Sequence, residues 1–318
     1  GERLARRGIV VVTVNYRVNV FGFLAHPELT EENPDAPANF GCLDQQAGLL
    51  WVKRNIAAFG GDPDRITIGG QSAGGASVMA QLNNPVSAAC VSHAVVESGI
   101  FCQPYEKPRL STLAELEKQG EEFFRFLGIH SLAEARALPA VFLRDKMEEF
   151  GLFWSVVADG KFQQRTSWQT AMRGELPDIP MMIGDTDNEF FAVPEGETEE
   201  ELRATVQKYL GDDAERFLAL IHADQGMEAA GKNAAVGKIE MAIRALCRCR
   251  EKAGAKSPCY IYTFGPEIPG WDHPGAFHSS DLWFFFETLA KCWRPFTGKH
   301  YDLARQMCNY LAAFIKTG

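Results

Sequence analysis

A serine held between glycines can do chemistry that most serines cannot. Gly70-Gln71-Ser72-Ala73-Gly74 fits the pattern G-x-S-x-G. An apolar run, Ile66-Thr67-Ile68, leads into it, and a small-residue helical pattern follows. Strand, sharp turn and helix in that order read as a nucleophile elbow, which lifts the serine above the end of a sheet. Such a turn holds its central residue in a strained backbone conformation. Glycine flanks remove the Cβ atoms that would collide there. The chemistry is attack of the Ser72 oxygen on a carbonyl. The oxyanion that develops would face the free N–H groups at the start of the helix, with that of Ala73 directly after the nucleophile. An unactivated hydroxyl is a poor nucleophile, so a base must lie beside it. A chain of this length meets the pattern by chance roughly once in ten. A plain glycine-rich turn is the competing reading, and the flanking strand and helix favour the elbow.

The elements that must position Ser72 follow from apolar periodicity. Ile9 to Val14 is a continuous β-branched run, which predicts a strand buried on both faces of a parallel sheet. Pro27 to Gly41 reads as a loop. Leu43 to Phe59 has apolar residues at helical spacing and is stopped by Gly60-Gly61. The elbow strand and its helix, to about Leu82, come next. His93 to Val96 is a strand ending in Glu97-Ser98-Gly99. A helical stretch spans about 111–150, with Thr112 and Glu115 spaced as a capping box. Pro180 to Ile183 is a strand. A second helical block runs over about 197–253, Cys259 to Phe264 is the last clear strand, and helices close the chain.

Strand–helix alternation of this kind specifies an α/β fold with a doubly wound, mostly parallel sheet. Ligands bind such sheets outside the carboxyl ends of the strands. Ser72 falls there. So does the 184–189 loop, with Asp185, Asp187 and Glu189, and so does the 265–280 loop, with His273 and His278.

Composition narrows the function classes. A chain of 318 residues, 46% hydrophobic and 23% charged, can bury a sizeable core. Its net charge of −9 argues against a nucleic-acid partner, which needs a basic face. No apolar run approaches the ~20 residues of a membrane helix. Eight cysteines in a chain this long are not a disulfide framework. Cys247-Arg248-Cys249 is too close for a usual zinc pair and has no second pair, so no metal is implied. No Asn-x-Ser/Thr sequon occurs, which favours a cytoplasmic over a glycosylated secreted protein. Oligomeric state is not legible.

Several blocks together resemble one family. They are Asn15-Tyr16-Arg17, Gly22-Phe23-Leu24, Leu43-Asp44-Gln45-Gln46, Trp51-Val52, Phe59-Gly60-Gly61-Asp62-Pro63 and Gly70-Gln71-Ser72-Ala73-Gly74-Gly75. They look like the type-B carboxylesterases, the cholinesterase-like branch of the α/β-hydrolase fold. The match is dense over about 8–100 and then thins to islands near 159–160, 183–189 and 275–282. The resemblance implies one α/β-hydrolase domain over 1–318, with helical cap insertions at about 101–175 and 192–256. It implies a triad in the order Ser72, Glu189, His278, the order expected for the fold. His273 is the alternative base, and Asp185 and Asp187 share the loop of the acid. The family usually has Gly after the acid, where this chain has Phe190. The same likeness puts Ser98 beside the acid or the imidazole and Asp281 in a buried polar network beside Gln71. It makes Arg17 and Asp44 an internal ion pair, whose loss would strand a buried charge. A helix-terminal carboxylate is an equal reading of Asp281.

The family's glycine-rich oxyanion loop has no counterpart before Ile9. The resemblance therefore implies an internal fragment, lacking N-terminal strands and a C-terminal end, that is inactive or poorly folded alone. The activity implied is a serine carboxylesterase acting on small, uncharged esters through an acyl-enzyme, with no cofactor. Phe190, Phe191, Trp283, Phe284 and Phe285 are candidates for its pocket wall. A prolyl-oligopeptidase-like peptidase would share G-x-S-x-G-G, but the Glu acid and the Asn15–Arg17 block speak against it. A non-catalytic cholinesterase-like binding module typically lacks a triad residue, whereas all three are present here.

Overall fold

The computed structural model describes residues 1–101, 111–192, 196, 198–234 and 236–318. Four parallel strands form the central sheet: β1 (Thr67–Gln71), β2 (His93–Glu97), β3 (Met181–Thr186) and β4 (Cys259–Phe264). They lie side by side in chain order. Parallel neighbours need crossovers: the crossover helices Ala73–Asn83 and Lys238–Lys252 pack on one face of the sheet, and the C-terminal helix Gly298–Thr317 covers the other. Five of the helices used below are α1 (Phe40–Asn55), α2 (Ala73–Asn83), α3 (Leu113–Leu127), α4 (Lys238–Lys252) and α5 (Gly298–Thr317).

Alternation along the strands divides the core into two layers. Ala94, Val96, Met181 and Ile183 pack with Val78, Met79 and Leu82 of α2 and Ile239, Ile243 and Leu246 of α4. Val95, Met182 and Tyr262 point the other way, toward Cys308, Leu311 and Phe314 of α5. Each large apolar side chain buried in these layers contributes about 1.5–3 kcal/mol. A strand fed from both sides in this way must be apolar at every position, as Ala94-Val95-Val96 is.

Local signals set most of the boundaries. The apolar pattern from Leu43 forms α1 plus one 3₁₀ turn (Ile56–Phe59), and Gly60 ends it at φ 80°. Thr112 and Glu115 make the expected reciprocal capping box on α3.

Two expectations fail. Ile9 to Val14 is not a strand: it has no ladder partner among the described residues, and Val10, Val11, Val12 and Val14 are 36–44% exposed. An apolar run becomes a strand only where a neighbour's N–H and C=O groups line up beside it, and β1 makes no such bonds to it. The loop expected over Pro27 to Gly41 contains a short helix, Pro27–Glu32. Its N-cap is His26, whose Nδ1 accepts from the Glu28 amide, with Pro27 at the first helical position.

The described helices of the two blocks at about 101–175 and 192–256 include α3, Leu132–Ala137, Ala140–Phe150, Glu199–Leu210 and α4. Residues 102–110, 193–195, 197 and 235 of those blocks lie outside the described residues. No described helix is long and apolar enough to cross a membrane.

Candidate active site

The carboxyl end of β1 turns sharply into α2 at Ser72, whose backbone sits at φ 55°, ψ −119°. A non-glycine residue rarely adopts that conformation, and it is held here by its surroundings. The Ser72 amide donates to the Glu97 carbonyl at 2.8 Å, so the turn is tied to β2. Gly70 makes the turn sterically possible: a Cβ there would lie 2.3 Å from the Gly74 carbonyl oxygen. Ala73 opens α2, so its N–H has no acceptor within the helix, and it is exposed.

His278 reaches Ser72 from the loop after β4. Its Nε2 lies 2.8 Å from the Ser72 Oγ, and its Nδ1 lies 3.1 Å from Oε2 of Glu189. The Glu189 side chain is 5% exposed and that of His278 23%. With the proton on Nδ1 directed to Glu189, Nε2 is free to accept from the serine hydroxyl. Gln71 Nε2 also faces His278 Nε2, at 3.2 Å. His273, the alternative base, is exposed and makes no such contact.

Glu189 is fixed by more than the imidazole. Its Oε1 accepts from the Ser98 hydroxyl, the Thr186 amide (2.7 Å) and the Thr186 hydroxyl (2.9 Å). Those donors leave Oε2 to the imidazole. Asn188 latches the two loops together: its amide donates to the Ala276 carbonyl at 3.0 Å and its side chain to the Pro274 carbonyl at 3.0 Å. Asp187 is exposed. Asp185 is buried, and burial raises its carboxyl above the usual range, but its hydrogen-bond partner is Thr263. Of the three acids on this loop, only Glu189 touches His278. The Phe190 ring packs against the imidazole, with centroids 4.9 Å apart, and lies 6.1 Å from Phe101.

Beneath the site a row of residues in register crosses the sheet: Gln71, Glu97, Gly184 and Tyr262. Gly184 leaves room for the Tyr262 ring, whose Cδ1 would lie 2.3 Å from a Cβ at that position. The phenol passes over it and donates to Asp281 Oδ2 at 3.0 Å. Asp281 and Glu97 are both buried. Burial and the charge of Asp281 push the Glu97 carboxyl up to about 8. Burial likewise raises Asp281 and Tyr262, the latter helped by the charges of Asp281 and Glu97.

Three placements differ from expectation. Asp281 is buried at the N-cap of the short helix Leu282–Phe285, as a helix-terminal carboxylate, but its side chain makes no capping bond and none to Gln71; its partner is Tyr262. Arg17 and Asp44 form a bidentate pair, with both contacts at 2.8 Å, but their side chains are 53% and 27% exposed, so the pair is not buried. Phe284 and Phe285 belong to the core rather than to a pocket wall, and Trp283 packs between Phe277 and Phe296. The Phe191 side chain lies outside what is described.

Sequence reasoning missed Thr186, Glu97 and Tyr262. Thr186 had a local signal, a threonine three residues before the acid at a strand end. Tyr262 and Glu97 had none, because only strand register brings them together.

A parallel sheet with a serine elbow at the end of one strand and its acid and histidine on loops after two later strands defines the α/β-hydrolase fold. The chain belongs to the carboxylesterase family: residues 1–318 match the model described as "Carboxylesterase family". It is 30% identical over 305 residues to a fumonisin B1 esterase of Sphingopyxis macrogoltabida, covering 91% of this chain and 54% of that protein. It is 30% identical over 345 residues to a para-nitrobenzyl esterase of Bacillus subtilis (strain 168), covering 100% of this chain and 66% of that protein. A cholinesterase of Mus musculus is 52% identical over 106 residues, which is 33% of this chain and 17% of that one. Among solved structures, a PNB esterase superposes with a TM-score of 0.78 at 27% identity, covering 99% of this chain and 66% of that chain. The chain thus spans about half to two thirds of the length of these two esterases.

Proposed function

We propose that this protein is a serine carboxylesterase that hydrolyses uncharged carboxylic esters through an acyl-enzyme. The observation that carries the proposal is the continuous chain from Ser72 Oγ to His278 Nε2, and from His278 Nδ1 to Glu189 Oε2. The family's named esterases support the same reading.

In this mechanism His278 Nε2 takes the hydroxyl proton as Ser72 Oγ attacks the ester carbonyl. The tetrahedral oxyanion forms facing the Ala73 N–H. Glu189 holds the ring so that Nε2 faces the serine, and it stabilises the imidazolium that forms. The imidazolium returns its proton to the departing alcohol. Water then enters, gives a proton to Nε2 and releases the acid from Ser72 by the same route. Ser98 and Thr186 act through Glu189, as positioning residues. Phe190, against His278, and Phe101, against Phe190, offer an aromatic wall suited to apolar or aromatic ester groups. The helical blocks at about 101–175 and 192–256 serve as cap and pocket walls over this face.

Labelling of the full-length protein with a fluorophosphonate tests the reading. Covalent modification at Ser72 that blocks hydrolysis of a p-nitrophenyl ester is expected, with no labelling of Ser72→Ala. A properly folded protein that is unlabelled at Ser72 would sink the esterase assignment and leave a binding module. Turnover of peptide amides in preference to esters would favour a peptidase.

A further inference from the structure

On the face of the sheet away from Tyr262, α4 approaches the first residue of β4, and two thiols meet. Cys247 Sγ and Cys259 Sγ lie 3.2 Å apart, twelve positions apart in the chain. Both are free and partly buried, packed, like Ile179 and Met172, against the edge of the main core layer. No other pair of sulfurs is in contact among the described residues.

We infer that Cys247 and Cys259 are a reversible dithiol site, which a disulfide oxidant such as oxidised glutathione converts to an intrachain bond clamping α4 to β4. A disulfide needs sulfurs about 2 Å apart, so closure asks for a movement of about an ångström.

The surroundings hold both partners ready for it. Arg250, one helical turn after Cys247, is buried and donates to the carbonyls of Pro177 and Ile179, each at 3.0 Å. The amides of Lys256 and Ser257 donate to the two carboxylate oxygens of Asp178, each at 2.9 Å. The connection between α4 and β4 is therefore tied at both ends to the segment entering β3. A pre-set dithiol gives a disulfide with little strain, which resists reduction better than a strained one.

The two sulfurs are not equivalent. The hydrogen bond shared with Cys259, with the Arg250 cation nearby, lowers Cys247 below the usual thiol value. The same hydrogen bond and burial raise Cys259. Cys247 is the attacking thiolate. It displaces one glutathione thiolate from the oxidant and becomes a mixed disulfide. Cys259 then loses its proton and attacks the Cys247 sulfur, expelling the second glutathione. Two protein thiols are oxidised and one glutathione disulfide is reduced to two glutathione thiols, so atoms and electrons balance.

The full-length protein, reduced and then incubated with oxidised glutathione near neutral pH, supplies the test. Trypsin cuts after Arg248 and Arg250, so Cys247 and Cys249 fall on different peptides. A non-reducing digest is expected to contain the Cys247–Cys259 cross-linked peptide, with loss of two free thiols. The oxidised protein should melt roughly 5 °C higher, because the cross-link restricts the unfolded chain. Dithiothreitol should reverse both changes. Cys259→Ser should hold glutathione on Cys247 as a stable mixed disulfide, and Cys247→Ser should take up little. Two thiols still free after oxidation, a cross-link to Cys249, or a bond between chains would each overturn the inference. None of these readouts depends on esterase activity, so this inference and the proposed function stand or fall separately.

Discussion

Thr186 holds Glu189 twice, through its backbone amide at 2.7 Å and its hydroxyl at 2.9 Å, both on the oxygen that faces away from the imidazole. A carboxylate anchored on one oxygen presents the other in a fixed direction, and His278 is where that direction leads. The residue just inside the end of β3 therefore aims the acid on the following loop.

Removing the hydroxyl without changing the shape isolates that contribution. Thr186→Val keeps the amide bond and loses one hydrogen bond to a charged carboxylate, worth about 1.5 kcal/mol. The expected result is a fall in kcat of about tenfold with KM unchanged, since the effect passes through Glu189 and not through substrate. Glu189→Gln should cut kcat by about 10³–10⁴, by presenting the wrong group to the ring. Steady-state kinetics on a p-nitrophenyl ester decides both. A Glu189→Gln enzyme with near-normal turnover would move the role to another acid.

His278→Ala should lose about 10⁴–10⁶ in kcat, as removal of the base does in serine hydrolases. His273→Ala should leave the rate as it was, since His273 is exposed and does not touch Ser72. The reverse ranking in the same ester assay would refute the assignment of the base.

Glu97 makes stability depend on pH. Its carboxyl stands at about 8 in the folded protein against an ordinary 4.5. Between those values the folded chain keeps a proton that the unfolded chain has released. Stability therefore falls as pH rises from 4.5 to 8, and the loss is complete above 8. Glu97→Gln has no proton to lose there. It should be more stable than the parent at pH 9, by on the order of a few kcal/mol, with the advantage gone at pH 4. Urea melts across that range are the measurement, and a variant less stable than the parent at pH 9 would count against the buried, protonated Glu97.

The elbow can be tested sterically. Gly70→Ala would force a Cβ to within 2.3 Å of the Gly74 carbonyl, which is backbone and cannot step aside. The expected outcome is loss of soluble folded protein or of fluorophosphonate labelling. Gly69→Ala, whose Cβ would meet Val95 at an ordinary 3.5 Å, should fold and label normally. Circular dichroism and probe labelling of the two variants separate them; equal behaviour would remove the steric argument.

Because Arg17 and Asp44 are substantially exposed, Asp44→Asn should cost only about 1 kcal/mol, and less at high salt. A loss several times larger in urea melts would restore the buried-charge reading.

Sequence by itself determined whatever depends on near neighbours. The strand–turn–helix around Ser72, the stop at Gly60, the capping box at Thr112 and the runs at His93 and Cys259 are local, because glycine freedom, capping and apolar period act over a few residues. Ser72 was legible from its motif, and Glu189 and His278 from the family resemblance together with their place on loops at one edge of a sheet. That His278 and not His273 meets Ser72 was decided only by the fold, which brings together atoms 206 positions apart. The same holds for Tyr262, which reaches Asp281 across Gly184 because three strands fall into one register. Ile9 to Val14 marks the opposite limit. Its β-branched pattern carries the propensity for a strand, but a ladder is a property of two segments, and propensity in one cannot supply hydrogen bonds from another.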